Sequence, residues 1–395
     1  MTFSQNSSEN PLQIFIATGE VSGDLQGALL VRALYRQAKE IGRSVQITAL
    51  GGERMMRAGA SLLGNTSEIG AVGLLESLPF ILPTWRIQRR ARRYLQQYPP
   101  DLVVCIDYMG PNLSLGAYLR RHLPYVPISY YIAPQAWVWS ISPQNTARIV
   151  EMSDRLLAIF PEEARFFAER GAKVTWVGHP LVDLMRDAPT RSAARAQLGI
   201  AEGTIAVALL PASRHQEIRA LMPVIFQAAQ RLQAKIPEVR FWIPLSLEAY
   251  RGAIARGIAR YGLRATVVGK HTQTVLVAAD LAIGKSGTVN LELALLNVPQ
   301  VVVYRVNPVT AWIARKVLGF KIPFMSPPNL VQMKPIVPEL LQEEATPDRI
   351  VAEALALLCD PQRRDRLLEG YAEMRQCLGE VGVGDRAARA ILDLL

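Results

Sequence analysis

Gln13–Asp24 reads QIFIATGEVSGD: an apolar, β-branched run broken by two glycines with small and acidic residues between them. A strand buried on both faces carries such an uninterrupted apolar run. The glycines let backbone approach a ligand closely, and the segment after them opens a helix whose N-terminus favours anions. The stretch is not G-x-G-x-x-G, so a dinucleotide fingerprint is absent, and Ser22 or Asp24 serves equally well as an ordinary helix cap.

The same pattern of short apolar run and helix-length segment repeats along the chain. Gln46–Gly51, Asp101–Asp107, Val126–Ile132, Arg155–Phe160 and Val174–Gly178 continue it in the first half. Ile205–Pro211, Val239–Leu245, Ala265–Gly269, Leu281–Ser286 and Gln300–Tyr304 carry it through the second. Strands alternating with helices predict parallel, doubly wound α/β units. The series restarts after Asp183–Gly203, a polar stretch containing Ala, Arg and Pro. The expected organisation is therefore an N-terminal Rossmann-like domain over 1–182, a linker over 183–204 and a second Rossmann-like domain over 205–360. Helices over 361–395 are expected to pack back toward the first domain. Two such domains are expected to face one another across a cleft, where ligands of α/β proteins usually bind.

Composition narrows the class. The chain has 395 residues, half of them apolar and 20% charged, which excludes a disordered chain and allows two or three compact units. The net charge of +10 suits nucleic acid, an anionic membrane or phosphorylated substrates, and equally a well-solvated basic enzyme. Three cysteines without a C-x-x-C pair form no disulfide framework and suit a reducing compartment. The polar N-terminus lacks a secretory signal core, and no apolar run is long enough to span a bilayer. The four histidines are scattered without zinc spacing, and neither a Walker sequence nor a nucleophile elbow occurs.

Four places could carry chemistry. The first is the Gly19–Asp24 turn. The second is Asp107, closing the apolar run DLVVCID, where an acid sits at the mouth of an α/β sheet; it suits a general base or a plain cap. The third is Arg214 in PASRHQE, whose guanidinium could fork onto a diphosphate or be merely structural. The fourth is Gly284-Lys285-Ser286-Gly287-Thr288, whose small residues at a helix start would leave backbone N–H groups for phosphates. Glu292, one turn on, would face the same end and suits ribose hydroxyls. A capped core helix accounts for the segment too.

Pro79–Tyr98 holds aromatic residues and five arginines with no acid between Ser77 and Pro100. Arg86, Arg89, Arg90 and Arg93 fall on one helical face beside Trp85, and Ile87, Ala91, Tyr94 and Leu95 on another. Such a helix suits an anionic membrane surface, or packs on its own sheet with a solvated basic face. Nucleic acid fits less well, because no aromatic-interleaved module accompanies the arginines.

Taken in order, GEVSGD (Gly19–Asp24), GGERMMRAG (Gly51–Gly59), AVGLLESLP (Ala71–Pro79), PDLVVCID (Pro100–Asp107) and YYIAPQAWVW (Tyr130–Trp139) resemble the lipid-A-disaccharide synthase family. VGHPLVD (Val177–Asp183), LLPASRHQEI (Leu209–Ile218), SGTVNLELAL (Ser286–Leu295) and PNLVQ (Pro328–Gln332) extend the resemblance to about Ile350. It implies the GT-B class of inverting glycosyltransferases, without metal or other cofactor. The implied donor is UDP-2,3-diacylglucosamine and the implied acceptor is 2,3-diacylglucosamine 1-phosphate. The products would be a β-1,6-linked disaccharide 1-phosphate and UDP. Asp107 matches the family's acid and would be the base, with Glu20 facing the same cleft. Arg214, Ser286, Gly287, Thr288, Glu292 and Asn329 would hold the donor, and His179 would touch the sugar or phosphate or make a structural hydrogen bond. The resemblance also implies a cytoplasmic protein, peripheral on the inner face of the plasma membrane, with a homodimer as one possible assembly. Two departures flank the acceptor side: Gly110 in IDYMGPN replaces a frequent second Asp, and Ile132-Ala133-Pro134-Gln135 replaces V-S-P-S. Another GT-B enzyme with a soluble substrate and a non-catalytic relative are the rival readings. The acyl-directed logic extends to Ala311–Met325, an apolar-basic segment that reads equally as a buried helix.

Overall fold

The computed structural model describes residues 10–66, 81–134, 137–138, 143–212, 215–270, 272–305 and 324–395. The chain divides into two compact units, Met1–Asp183 with Leu378–Leu395, and Leu184–Cys377.

The first unit is built on β1 (Leu12–Ala17), β2 (Val45–Gly51), β3 (Ser61–Asn65), β4 (Leu102–Ile106), β5 (Ile128–Tyr131), β6 (Arg155–Ala158) and β7 (Val174–Trp176). They form one parallel sheet in the order β3-β2-β1-β4-β5-β6-β7. All five residues of β4 are buried, as a strand covered on both faces requires. Phe15, Val103, Cys105, Tyr130 and Leu156 point to one face and pack with Leu115, Leu119, Ile149 and Phe167 from the covering helices. Burying each aliphatic or Phe side chain of this kind contributes roughly 1.5–3 kcal/mol. On the opposite side, the helix Glu20–Glu40 packs against the C-terminal helix Val383–Leu392.

The second unit is built on β8 (Ile205–Leu210), β9 (Val239–Pro244), β10 (Ala265–Val268), β11 (Leu281–Lys285), β12 (Gln300–Tyr304) and β13 (Glu339–Leu341). Its parallel order is β10-β9-β8-β11-β12-β13. In each sheet the order reverses beside the unit's first strand, which is the doubly wound arrangement. Two edge strands, β3 and β13, were not expected. Both are short, and β3 is only partly buried, so neither carries a continuous apolar run.

The domain boundaries differ from expectation at two places. Residues 183–204 are not a linker: Arg191–Gln197 is a helix of the second unit. Arg191 and Arg195 both pair with Asp280, whose carboxylate also accepts the Ala206 N–H at 2.8 Å. The helix Pro361–Leu378 does not join the first unit but packs in the second. There the buried Tyr371 hydroxyl donates to the Val298 carbonyl (3.1 Å) and accepts from Gln300 Nε2 (2.9 Å). Only the chain from Leu378 onward returns to the first unit, where Asp183 accepts the N–H groups of Gly382, Val383 and Gly384 and caps the last helix.

Candidate active site

In the first unit, β1 and β4 are parallel neighbours with Ala17 opposite Cys105. Glu20 and Asp107 therefore leave the same C-terminal sheet edge, one from each strand. The local backbone is unusual: Glu20, Asp107, Tyr108 and Ile132 all have φ between 45° and 62°. An L-residue in this left-handed region costs roughly 1–2 kcal/mol, so such residues persist only where their surroundings hold them.

The holding contacts are specific. The Asp107 carbonyl accepts the Tyr130 hydroxyl at 2.7 Å and Asn112 Nδ2 at 2.8 Å. The Asp107 N–H donates to the Ile132 carbonyl at 3.1 Å. The Glu20 N–H donates to the Thr66 carbonyl at 3.1 Å, and the Thr66 hydroxyl donates to the Thr18 carbonyl at 2.6 Å. Gly19 is required because the Tyr108 ring lies over it; a Cβ there would sit 2.5 Å from the ring.

The Asp107 residue is exposed, with protein close enough around its carboxyl to desolvate it in part. That desolvation, reinforced by the charge of Glu20 and opposed by the Tyr108 N–H, raises its pKa to about 6. Water at the exposed residue screens part of the effect. The group stays ionised at neutral pH, yet is a stronger base than an ordinary aspartate.

Other acids in these motifs have structural work. Asp24 is buried and accepts the N–H groups of Gly52, Arg54 and Met55, capping the helix Glu53–Arg57. His179 is buried, and its Nδ1 lies 3.2 Å from the Leu181 N–H it accepts. The tautomer is thereby assigned with the proton on Nε2. Burial pushes its pKa down to about 3, so the ring is a neutral hydrogen-bonding group.

Sequence reasoning missed three residues here. Tyr130 and Asn112 were read as part of strings, without roles. Glu163 is buried and accepts the N–H groups of Ala133 (3.1 Å), Ile159 (2.8 Å) and Phe160 (3.3 Å). Burial raises its pKa to about 8, against those hydrogen bonds and with help from Asp107. Glu163 is the third residue of the helix Pro161–Ala168 and caps its own N-terminus, but nothing in the sequence marks its further reach to Ala133.

In the second unit, β8 and β11 are the adjacent pair, with Gly284 opposite Leu210. Ser286 Oγ donates to the Met325 carbonyl at 2.6 Å, which orients the hydroxyl. Gly287 departs from expectation: its N–H donates to Asn290 Oδ1 at 2.7 Å and is already used. Asn290 is itself fixed by Gln300, so the turn is rigid. Thr288 immediately precedes the helix Val289–Leu295, and Glu292 lies half-buried in its first turn. Lys285, not singled out from the sequence, places Nζ 3.3 Å from the Ser286 carbonyl and 3.9 Å from Glu217.

Asn329 is engaged within its own loop. Its Nδ2 donates to the Val337 carbonyl and Glu339 Oε1, and its Oδ1 accepts the Ile336 and Val337 N–H groups. All four hydrogen-bonding positions are occupied and the residue is buried, so it supports the loop. Arg214, Ala71–Pro79 and residues 311–323 lie outside the described residues.

The basic helix runs over Ile81–Gln97. Gln88, Ala91 and Leu95 are buried, with Ile87 and Tyr94 packed on the core. Arg86, Arg89, Arg90 and Arg93 are exposed. Ile81, Leu82 and Trp85 are 55%, 65% and 56% exposed, an unusual cost for apolar side chains. The Arg89 guanidinium lies 5.4 Å from the Trp85 ring centre. Thr84 hydrogen-bonds Tyr108, the residue after Asp107.

Two doubly wound parallel α/β units define the GT-B class of glycosyltransferases and related epimerases. A co-structure of Staphylococcus aureus MnaA with UDP shares the fold, with a TM-score of 0.66 at 15% identity over 97% of this chain and 98% of that one. The family model for lipid-A-disaccharide synthetase matches residues 14–384. The lipid-A-disaccharide synthase of Gloeothece citriformis is 58% identical over 382 residues, covering 97% of this chain and 100% of the relative. That of a Synechocystis strain is 54% identical over 384 residues, covering 97% and 98%. The chain belongs to the lipid-A-disaccharide synthase family, and is a UDP-sugar-dependent glycosyltransferase.

Proposed function

We propose that the protein transfers the diacylglucosaminyl group of UDP-2,3-diacylglucosamine to the 6-hydroxyl of 2,3-diacylglucosamine 1-phosphate. The observation that carries this reading is a strained, hydrogen-bonded Asp107 beside Glu20 at one sheet edge, in a chain of this family. Asp107 accepts the hydroxyl proton as the acceptor oxygen attacks the anomeric carbon. The bond to the diphosphate breaks, the anomeric centre inverts, and UDP leaves. Glu20 orients the acceptor sugar or the base. His179, neutral, contributes a hydrogen bond to the sugar or phosphate.

In the second unit, Arg214 and the Ser286–Thr288 turn bear the charge growing on the leaving diphosphate. Glu292 holds the ribose. Gly287 contributes a close backbone approach rather than its N–H.

Membrane contact belongs to the same proposal. Among the described residues no helix is long and apolar enough to cross a membrane. Exposed Ile81, Leu82 and Trp85 beside four exposed arginines suit the surface of an anionic bilayer. The Thr84–Tyr108 bond ties this helix to the neighbour of the base, which suits an acceptor held in a membrane. We therefore place the protein in the cytoplasm, on the inner face of the plasma membrane.

The test is UDP release with a diacylated acceptor. Asp107→Asn should lower turnover by at least ~100-fold, the low end of the general-base range, while UDP binding is kept. Joint loss of both, with circular dichroism unchanged, removes the base assignment.

A further inference from the structure

The left-handed turn at Asp107–Tyr108 needs an explanation beyond the chemistry of its carboxyl. Neither residue is glycine, and both have φ of 45°. A turn of this sort could have used glycine at no steric cost. The chain instead spends two buried polar side chains on one carbonyl oxygen.

Tyr130 is fully buried in β5, and its hydroxyl points at the Asp107 carbonyl from the adjacent strand. Asn112 is 1% exposed and approaches the same oxygen from the following helix. Its Nδ2 also lies 3.2 Å from the Ile106 carbonyl and 3.4 Å from the Ala17 carbonyl, so the amide orientation is settled by three acceptors. Asn112 thereby reaches both β1, which precedes Glu20, and β4, which precedes Asp107. The N–H side of Asp107 is held through Ile132, itself left-handed, whose carbonyl accepts the Asp107 N–H. The next residue, Ala133, donates its N–H to the buried Glu163 carboxylate.

We propose that Tyr130 and Asn112 are positioning residues that aim the Asp107 carboxyl by clamping its backbone carbonyl, and that Glu163 steadies the N–H side of the same residue through Ala133 and Ile132. The inference rests on Asp107 being the base. None of the three needs to touch substrate. Each helps to hold the backbone of the residue whose side chain does, and a shift of about 1 Å in a reacting group costs on the order of 100-fold in rate.

The test compares Tyr130→Phe, which keeps the buried ring, with Glu163→Gln, which keeps the volume of the carboxyl. Wild type, both variants and Asp107→Asn are assayed for UDP release over pH 5–9, with UDP affinity measured on the same samples. Tyr130→Phe should lower kcat ~10-fold or more, with the donor KM and UDP affinity unchanged. The acid limb of kcat/KM should also move below its wild-type position, as the released carboxyl leaves the neighbouring protein and the charge of Glu20. Glu163→Gln should show the same pattern, more weakly. A merely structural role would lower the melting temperature and leave the acid limb in place. If Asp107→Asn is inactive while both variants keep kcat within twofold of wild type, or lose rate without moving the limb, the positioning role is overturned. If Asp107→Asn turns over normally, the base assignment itself fails and the clamp loses its purpose. Should Tyr130→Phe not fold, Glu163→Gln decides by the same two readouts.

Discussion

Asp107 and Glu163 are two acids in one neighbourhood with different tasks. Asp107 reaches solvent and has its pKa raised to about 6, so kcat/KM should fall as pH drops through about 6. A profile flat from pH 5 to 8 would count against it as the ionised base. Glu163 is enclosed, and its pKa rises from 4.5 to about 8. A carboxyl whose folded pKa is raised binds more protons folded than unfolded between those values. Its contribution to stability is therefore present below about 4.5 and lost as pH rises toward 8. Glu163→Gln removes that dependence. Relative to wild type, its melting temperature should be higher at pH 8 than at pH 5; the reverse trend would show that its three N–H donors hold the carboxylate ionised. His179 acts in the opposite sense, since its pKa is lowered to about 3, and its contribution is lost as pH falls from 6.5 toward that value.

The helix Ile81–Gln97 shows how one element divides its labour. Its apolar stripe is packed, and its other face shows basic side chains with Trp85, Ile81 and Leu82 beside them. Each basic residue near an anionic bilayer contributes about 1 kcal/mol. Arg86→Glu with Arg90→Glu changes the charge by four, so sedimentation with phosphatidylglycerol vesicles should weaken by at least ~100-fold and depend less on salt. Unchanged sedimentation would leave this face merely solvated. Because Thr84 of the same helix bonds Tyr108, the charge reversal should raise KM for vesicle-borne acceptor more than for detergent-dispersed acceptor.

At the scale of the whole molecule, the chain's last turns complete its first unit. Asp183 receives three N–H groups from the start of Val383–Leu392, and Arg36 pairs with Asp385 across that helix at 2.7 Å. Asp183→Ala should cost about 2 kcal/mol through lost capping of a helix terminus. Thermal unfolding of the first unit would record it, while UDP affinity stays as in wild type. An unchanged transition would mean that apolar packing of Ala387 and Ile391 alone holds the return segment.

Sheet class, the order of strands and helices, and the position of Asp107 at a strand end were legible from sequence, because strand burial leaves continuous apolar runs that any window detects. The family was legible from short strings in register. Edge strands were not, since half-covered three- to five-residue segments leave no such run. Nor were the fates of the motif polar groups. Gly287 and Asn329 look available to a ligand in one dimension, yet their partners come from Asn290 and from Ile336–Glu339. The clamp on Asp107 draws on residues 112, 130 and 163, which only the side-by-side packing of parallel strands brings to one residue. Sequence determines which residue types exist and which segments must be buried. Which hydrogen-bonding groups remain for chemistry is decided in three dimensions, because each donor and acceptor has few places to fill and the fold fills them with whatever lies nearest.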